Sequence, residues 1–259
     1  MIDVQGLLSL GCRTPSTIGI GGLQVSMMDA TTAKLRKEGC RALVKGYDEP
    51  ELLVRDLVDH KIDAAVRGAM GSLEVLKELK RQFGIRKVHR AAVLENAIGK
   101  QFLLTPVGID EGRSVAERIG LVRDTVAYFS PVGWKLSVGV LSKGRAEDST
   151  RGRDIRKSLS EGEGIAKALS SDGIPVKHFS ILLEEAVRES DLVVAPDGVT
   201  GNLIFRSMHF VGGSKAYGAP VVNIPEAFVD TSRSKADFSD AVLLAAGLAA
   251  AQHGSRTQP

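Results

Sequence analysis

The residues best suited to chemistry stand in short polar turns that follow apolar runs. Near the C-terminus, Asp230-Thr231-Ser232-Arg233-Ser234-Lys235 precedes the alanine- and leucine-rich stretch 237–251. Hydroxyls, two cations and the open N–H groups of a helix start make a site for phosphate or another oxyanion. Ser234 and Asp237 also form a capping-box pattern, which accounts for those two residues and leaves Ser232, Arg233 and Lys235 unexplained. A second turn, Asp197-Gly198-Val199-Thr200-Gly201-Asn202, follows the apolar run LVVAP. Its glycines permit positive φ and close approach of a ligand. Asn202, in the first helical turn, would bond that ligand or the turn itself. Equally, the stretch reads as a tight strand–helix turn capped by Asp197. In a third turn, Arg67-Gly68-Ala69-Met70-Gly71-Ser72, backbone donors of Gly68, Gly71 and Ser72 would wrap a phosphate. The alternative there is a plain flexible loop.

These turns need strands and helices to hold them. Apolar runs and helical spacing predict strands over residues 16–22, 41–44 and 63–66, alternating with helices over 29–37, 50–60 and 73–83. That alternation belongs to a parallel, helix-covered sheet. Residues 91–94 and 101–107 leave no room for a helix between them and read as an antiparallel pair, a break that marks a domain change. The rhythm then returns, with helices at 114–129, 154–169, 181–189, 201–211 and 237–251. Strands are expected at 136–141, 176–179, 191–195 and 220–224.

Composition narrows the field. With 259 residues, 43% hydrophobic and 25% charged, the chain suits one large or two small globular domains. The net charge of +3 comes with no basic stripe interleaved with aromatics, so no nucleic-acid partner is expected. Arg151, Arg153, Arg156 and Lys157, interrupted by Asp154, read as a solvated helix start. Cys12 and Cys40 are isolated and make neither a disulfide framework nor a zinc pattern. His60, His89, His178, His209 and His253 are scattered, so no histidine metal site is expected. The N-terminus carries Asp3 and no basic run, unlike a signal peptide, and the longest apolar run, 241–251, is too short to span a membrane. A cytoplasmic location without membrane attachment is the expectation.

Several motifs are absent. Gln24 replaces the third glycine of a dinucleotide fingerprint after Gly19 and Gly21. Gly99-Lys100 runs into Gln101, which breaks a P-loop. There is no G-x-S-x-G, H-E-x-x-H, S-adenosylmethionine motif or corrinoid D-x-H-x-x-G. A self-sufficient methyltransferase, NTPase or hydrolase of a common type is not expected on these grounds.

Taken in order, the turns resemble the phosphate acetyl/butyryltransferase superfamily. Its D-A-x-x-x-G-x-x-x-T/S turn is matched by Asp63, Ala64, Gly68 and Ser72. Its P-D-x-x-x-G-N turn is matched by Pro196, Asp197, Gly201 and Asn202. A later glycine, proline and D-x-S-R stretch is echoed by Gly212, Gly213, Gly218, Pro220, Asp230, Ser232 and Arg233. Within that group the chain is similar to the methanogen family named for methyltransferase Mtx subunit X, also called a methanogenesis marker protein, which shares DGxTGN and the D-T-S-R turn. That likeness implies a methanogenic archaeal source.

The resemblance implies a two-domain α/β fold of the phosphate acetyltransferase/isocitrate dehydrogenase kind, with mostly parallel sheets covered by helices. It places residues 1–89 and 226–259 in a first, discontinuous domain, 90–225 in a second, and an active-site cleft between them. It assigns catalysis to Ser232, Arg233 and Asp240, the last with Asp237 as rival, and a second arginine to Arg90. Phosphate or coenzyme A would be the ligand, although the family's first-domain loops are longer than those here, which bears most on coenzyme A. A homodimer follows by analogy. The readings carried forward are a transferase acting on a small anionic acyl phosphate, phosphate or acyl thioester, and a non-catalytic accessory subunit of a methyltransferase complex. A dehydrogenase of the isopropylmalate type needs a set of metal-binding aspartates that cannot be assembled here.

Overall fold

The computed structural model describes residues 2–232 and 237–256. In chain order they form α1 (Val4–Arg13), β1 (Ser16–Gly21), α2 (Val25–Lys37), β2 (Ala42–Tyr47), α3 (Pro50–Val58), β3 (Ala64–Val66) and α4 (Ser72–Phe83). The hairpin strands β4 (Ala92–Glu95) and β5 (Gln101–Thr105) follow, then α5 (Val115–Phe129), β6 (Val138–Val140), α6 (Arg153–Ser171), β7 (Val176–His178), α7 (Leu183–Glu189) and β8 (Leu192–Val194). The chain ends with α8 (Gly198–Arg206), a π-helical turn at Ser207–Val211, β9 (Lys215–Pro220), β10 (Ala227–Asp230) and α9 (Ser239–Arg256).

Two compact units emerge, one chiefly His89–Ala216, the other Asp3–Val88 with Tyr217–Pro259. In the latter, the strand order is β2-β1-β3-β10-β9. The first four strands run parallel and β9 runs antiparallel to β10. Its core gathers Leu53, Leu57, Val75, Leu79 and Phe228 from α3, α4 and β10. In the former, the order is β4-β5-β8-β6-β7, with only the β4–β5 pair antiparallel. Each unit is thus a mostly parallel α/β sheet with helices over it. No helix among the described residues is long and apolar enough to cross a membrane.

Four expectations need correction. Helix α1 was not anticipated. Asp3 starts it by accepting the Gly6 N–H at 2.8 Å, and it lies close against α9, where a methyl on Gly11 or Gly247 would run into the facing backbone. Cys12 and Cys40 form a disulfide. The end of α1 and the residue leading into β2 meet through the Arg41 N–H, which donates to the Cys12 carbonyl at 2.8 Å, so the cysteines are neighbours in space though far apart in sequence. The strand expected at 220–224 is a turn whose Val221, Val222 and Ile224 are buried as packing. The strands there are β9 and β10, and Pro220 and Pro225 bracket the turn between them. Last, α8 starts at Gly198, ahead of expectation, and α9 at Ser239, behind it.

Candidate functional site

In the unit of Asp3–Val88 and Tyr217–Pro259, β1, β3 and β10 run side by side, with Ile20 opposite Val66 and Val66 opposite Val229. The turns that leave these strands therefore meet at one carboxyl edge, where open α/β sheets bind ligands. Hydrogen bonds knit them. The Ala69 N–H donates to the Gly21 carbonyl at 3.0 Å, the Arg67 N–H to the Val229 carbonyl at 3.0 Å, and the Thr231 hydroxyl to the Gly68 carbonyl at 3.0 Å. Gly68, at φ +62, lies so close to the Gly21 carbonyl that no Cβ fits.

Arg67 bolts this edge together. Its guanidinium is buried and donates to the Asp230 carboxylate, to the Thr231 carbonyl and, at 2.6 Å, to the Met70 carbonyl. The same carboxylate accepts the Thr231 N–H at 2.8 Å. A buried charge pair is tolerated when its remaining donors and acceptors are satisfied in this way. Arg67 is therefore committed to the scaffold, and the edge it organises carries Gly68, Gly71, Ser72 and the half-buried Ser232. Helices α2 and α4 start at this edge from Gln24 and Gly71 without a side-chain cap. Their first-turn N–H groups favour an anion. The Glu74 carboxylate folds back near Gly71, which leaves the start of α2 the less occupied of the two.

Arg233 and Ser234 lie outside the described residues. Beyond them, Asp237 accepts the backbone N–H of Ser239 at 3.0 Å and its hydroxyl at 2.5 Å, and Lys34 stands 3.6 Å away. Burial pushes the Asp237 carboxyl up, but the Ser239 bonds and Lys34 outweigh it and hold the group below its ordinary value. Asp237 is thus occupied in starting α9. Asp240 lies 3.8 Å from Lys34 with its side chain 46% exposed, the more accessible of the two carboxylates.

In the unit of His89–Ala216, the turn after β8 is built as a cap. The Asp197 carboxylate accepts the Thr200 N–H at 2.8 Å and pairs with Lys143 at 2.9 Å. Burial raises its pKa, and these partners more than reverse that, leaving it low. Gly198 and Gly201 are helical, not at positive φ as the sequence suggested. Glycine is needed there because a Cβ would strike the carbonyls of Gly108 and Pro106. Asn202, one turn further along α8 than expected, donates to the Val107 carbonyl at 2.9 Å. The loop held in this way also contains Glu111, which accepts from Arg90 Nε at 2.6 Å and from the N–H of Gly108 at 3.1 Å. Burial pushes Glu111 up against the pull of the Arg90 guanidinium. Arg90 lies within 3.9 Å of Asp110 as well, so its charge is already engaged by carboxylates.

Sequence reasoning missed Arg67, Thr231, Glu111 and Lys143 as organisers of these turns. Lys143 had a usable signal, since it follows an apolar strand as the chosen turns do. Glu111 had none. Among the described residues, no group of three His, Cys, Asp or Glu side chains is placed to hold a metal.

No family model matches the chain. A Methanosarcina mazei protein named "Putative methyltransferase mtx subunit X" is 38% identical over 230 residues, covering 88% of this chain and 82% of the relative. One of the same name from Methanosarcina acetivorans is 41% identical over 206 residues, covering 80% and 74%. Among solved structures, a branched-chain phosphotransacylase from Enterococcus faecalis superposes with a TM-score of 0.71 at 16% identity, over 90% of this chain and 98% of that one. A phosphotransacetylase from Streptococcus pyogenes gives 0.66 at 14%, over 98% and 100%. At those identities the structures share the fold, whereas the sequence relatives fix the family: the chain belongs to the methyltransferase mtx subunit X family.

Proposed function

We propose that this protein is a transferase whose substrate is a small anion of the acyl phosphate or acyl thioester class. The observation that carries this reading is the edge bolted by Arg67 and Asp230, which gathers Gly68, Gly71, Ser72 and Ser232 beside two uncapped helix starts. Arg233 follows Ser232 directly in the chain and supplies the cation. The phosphate oxygens accept from the turn N–H groups, Ser232 and Arg233. A thiol, with coenzyme A as the candidate, attacks the acyl carbonyl as Asp240 takes its proton. The acyl–oxygen bond then breaks and phosphate leaves. Asp197, Gly198, Thr200, Gly201, Asn202 and Arg90 build the second unit's turn, with Lys143 as its accessible cation. The test is arsenate-dependent loss of an acyl thioester. Turnover in the wild type that is absent in Arg233→Ala supports the reading, and no turnover by folded protein with any acyl length tried contradicts it.

A second reading has its own support. The stretch from α8 through the π-helical turn leaves Val199, Leu203, Phe210 and Val211 between 45% and 86% exposed. An apolar run of this kind suits an accessory subunit of a methyltransferase complex that docks through this segment. Retention of the protein in a larger assembly by wild type but not by Leu203→Lys, with catalysis absent from both, would favour it.

A further inference from the structure

The family-like turn Asp63-Ala64 through Ser72 is divided between the two ends of β3. Its glycines lie at the carboxyl edge, while Asp63 stands just before Ala64 at the opposite, amino edge. There, Ala64 is opposite Ala227 in register, so Asp63 and Glu226 come side by side. With His60, Ile62, Pro225, Ala227, Gln252 and His253 they line a cavity of about 70 Å³. Asp63 accepts the Thr17 N–H at 2.7 Å. The Oε2 atom of Glu226 is buried and has no hydrogen-bond partner. A buried carboxylate oxygen left in that state is expensive and calls for a donor.

The chemistry of the lining says which donor. Among the described residues, no lysine or arginine lines the cavity. Lys61, between two lining residues, reaches instead to Asp59 and Asp56 at 2.9 and 3.4 Å. Apart from the imidazoles of His60 and His253, the described lining thus offers the two carboxylates no cation. A metal ion is not indicated, because no three ligating side chains among the described residues are suitably placed. Ile62, Pro225 and Ala227 add an apolar wall. We infer that this cavity binds the ammonium group of a short primary alkylamine, whose N–H donors reach the carboxylates of Glu226 and Asp63 while its alkyl group lies against Ile62, Pro225 and Ala227. The volume admits a chain of only a few heavy atoms.

The probe is ethylammonium chloride, titrated into the full chain at constant ionic strength and followed by amide chemical shifts. Saturable shifts confined to residues near 60–63, 225–227 and 252–253 are expected. Sodium chloride and tetraethylammonium, which lack N–H donors, should not reproduce them. Glu226→Gln keeps the shape, removes the charge, and should weaken binding about tenfold or more with no loss of thermal stability. The inference is overturned if ethylammonium gives no saturable shift, if tetraethylammonium binds equally well, or if folded Glu226→Gln binds with unchanged affinity. If the variant fails to fold, the wild-type selectivity between the two ammonium ions still decides the matter.

Discussion

A single buried guanidinium ties the turns of the candidate site together. Arg67 holds Asp230, the Thr231 carbonyl and the Met70 carbonyl at once. Arg67→Met would take the buried guanidinium away from the Asp230 carboxylate, at a cost of about 3–5 kcal/mol. Denaturant unfolding should show that loss, and a change below 1 kcal/mol would mean the pair is not an anchor. Gly68→Ala places a Cβ against the Gly21 carbonyl at a left-handed φ of +62 and should cost at least about 1–2 kcal/mol in the same measurement. A distant carboxylate sets an acid limit. The Tyr47 hydroxyl donates to Asp56 at 2.8 Å, Lys45 lies 3.1 Å away and Lys61 3.4 Å. Led by the Tyr47 bond, these partners lower the Asp56 carboxyl from 3.8 to about 2. A pKa depressed on folding adds stability that is present above pH ~4 and drains away as pH falls toward about 2. Asp56→Asn should flatten the stability profile between those values, and an unchanged slope would assign it to other groups.

At the scale of elements, what the chain disclosed depended on how local the signal was. Helix α4 and the β4–β5 hairpin follow from nearby spacing and the short link between strands, and the structure has both. Helix α1 was overlooked because its apolar face makes sense only against α9, more than two hundred residues away. The pairing of Cys12 with Cys40 was overlooked because nothing in the 28-residue separation shows that α1 ends beside β2. That disulfide closes a loop whose entropy is worth about 3.5 kcal/mol. Full reduction, or Cys12→Ser, should lower stability by roughly that amount while leaving the α/β circular dichroism unchanged. An identical melting curve with and without reductant would show that the bridge contributes nothing. The glycine turns at 67–72 and 197–202 were legible because strand–glycine–helix punctuation is local. Their purpose was less so. Gly198 and Gly201 looked like ligand-facing positions, yet they are helical residues that let the 106–111 loop pack against α8.

At the scale of the molecule, each unit is a mostly parallel sheet; the carboxyl edge of one carries the turns after β3 and β10, and that of the other the turn after β8. The Arg67–Asp230 contact joins residues 163 apart, and only the crossover order β1-β3-β10 brings them together. Sequence reading could nominate Ser232 and Gly68 for an anion site, but not show that a buried arginine holds their turns in contact. The family membership carries the word methyltransferase, while the fold is that of phosphotransacylases, and the anion chemistry we propose rests on the edge geometry. The central claim is that Arg233, with Ser232, completes a phosphate site on this edge. Calorimetric titration of inorganic phosphate into wild type and Arg233→Ala, both shown to be folded, tests it most directly. The account predicts saturable binding in the wild type that is at least about tenfold weaker in the variant. Equal affinity in the two proteins would contradict it.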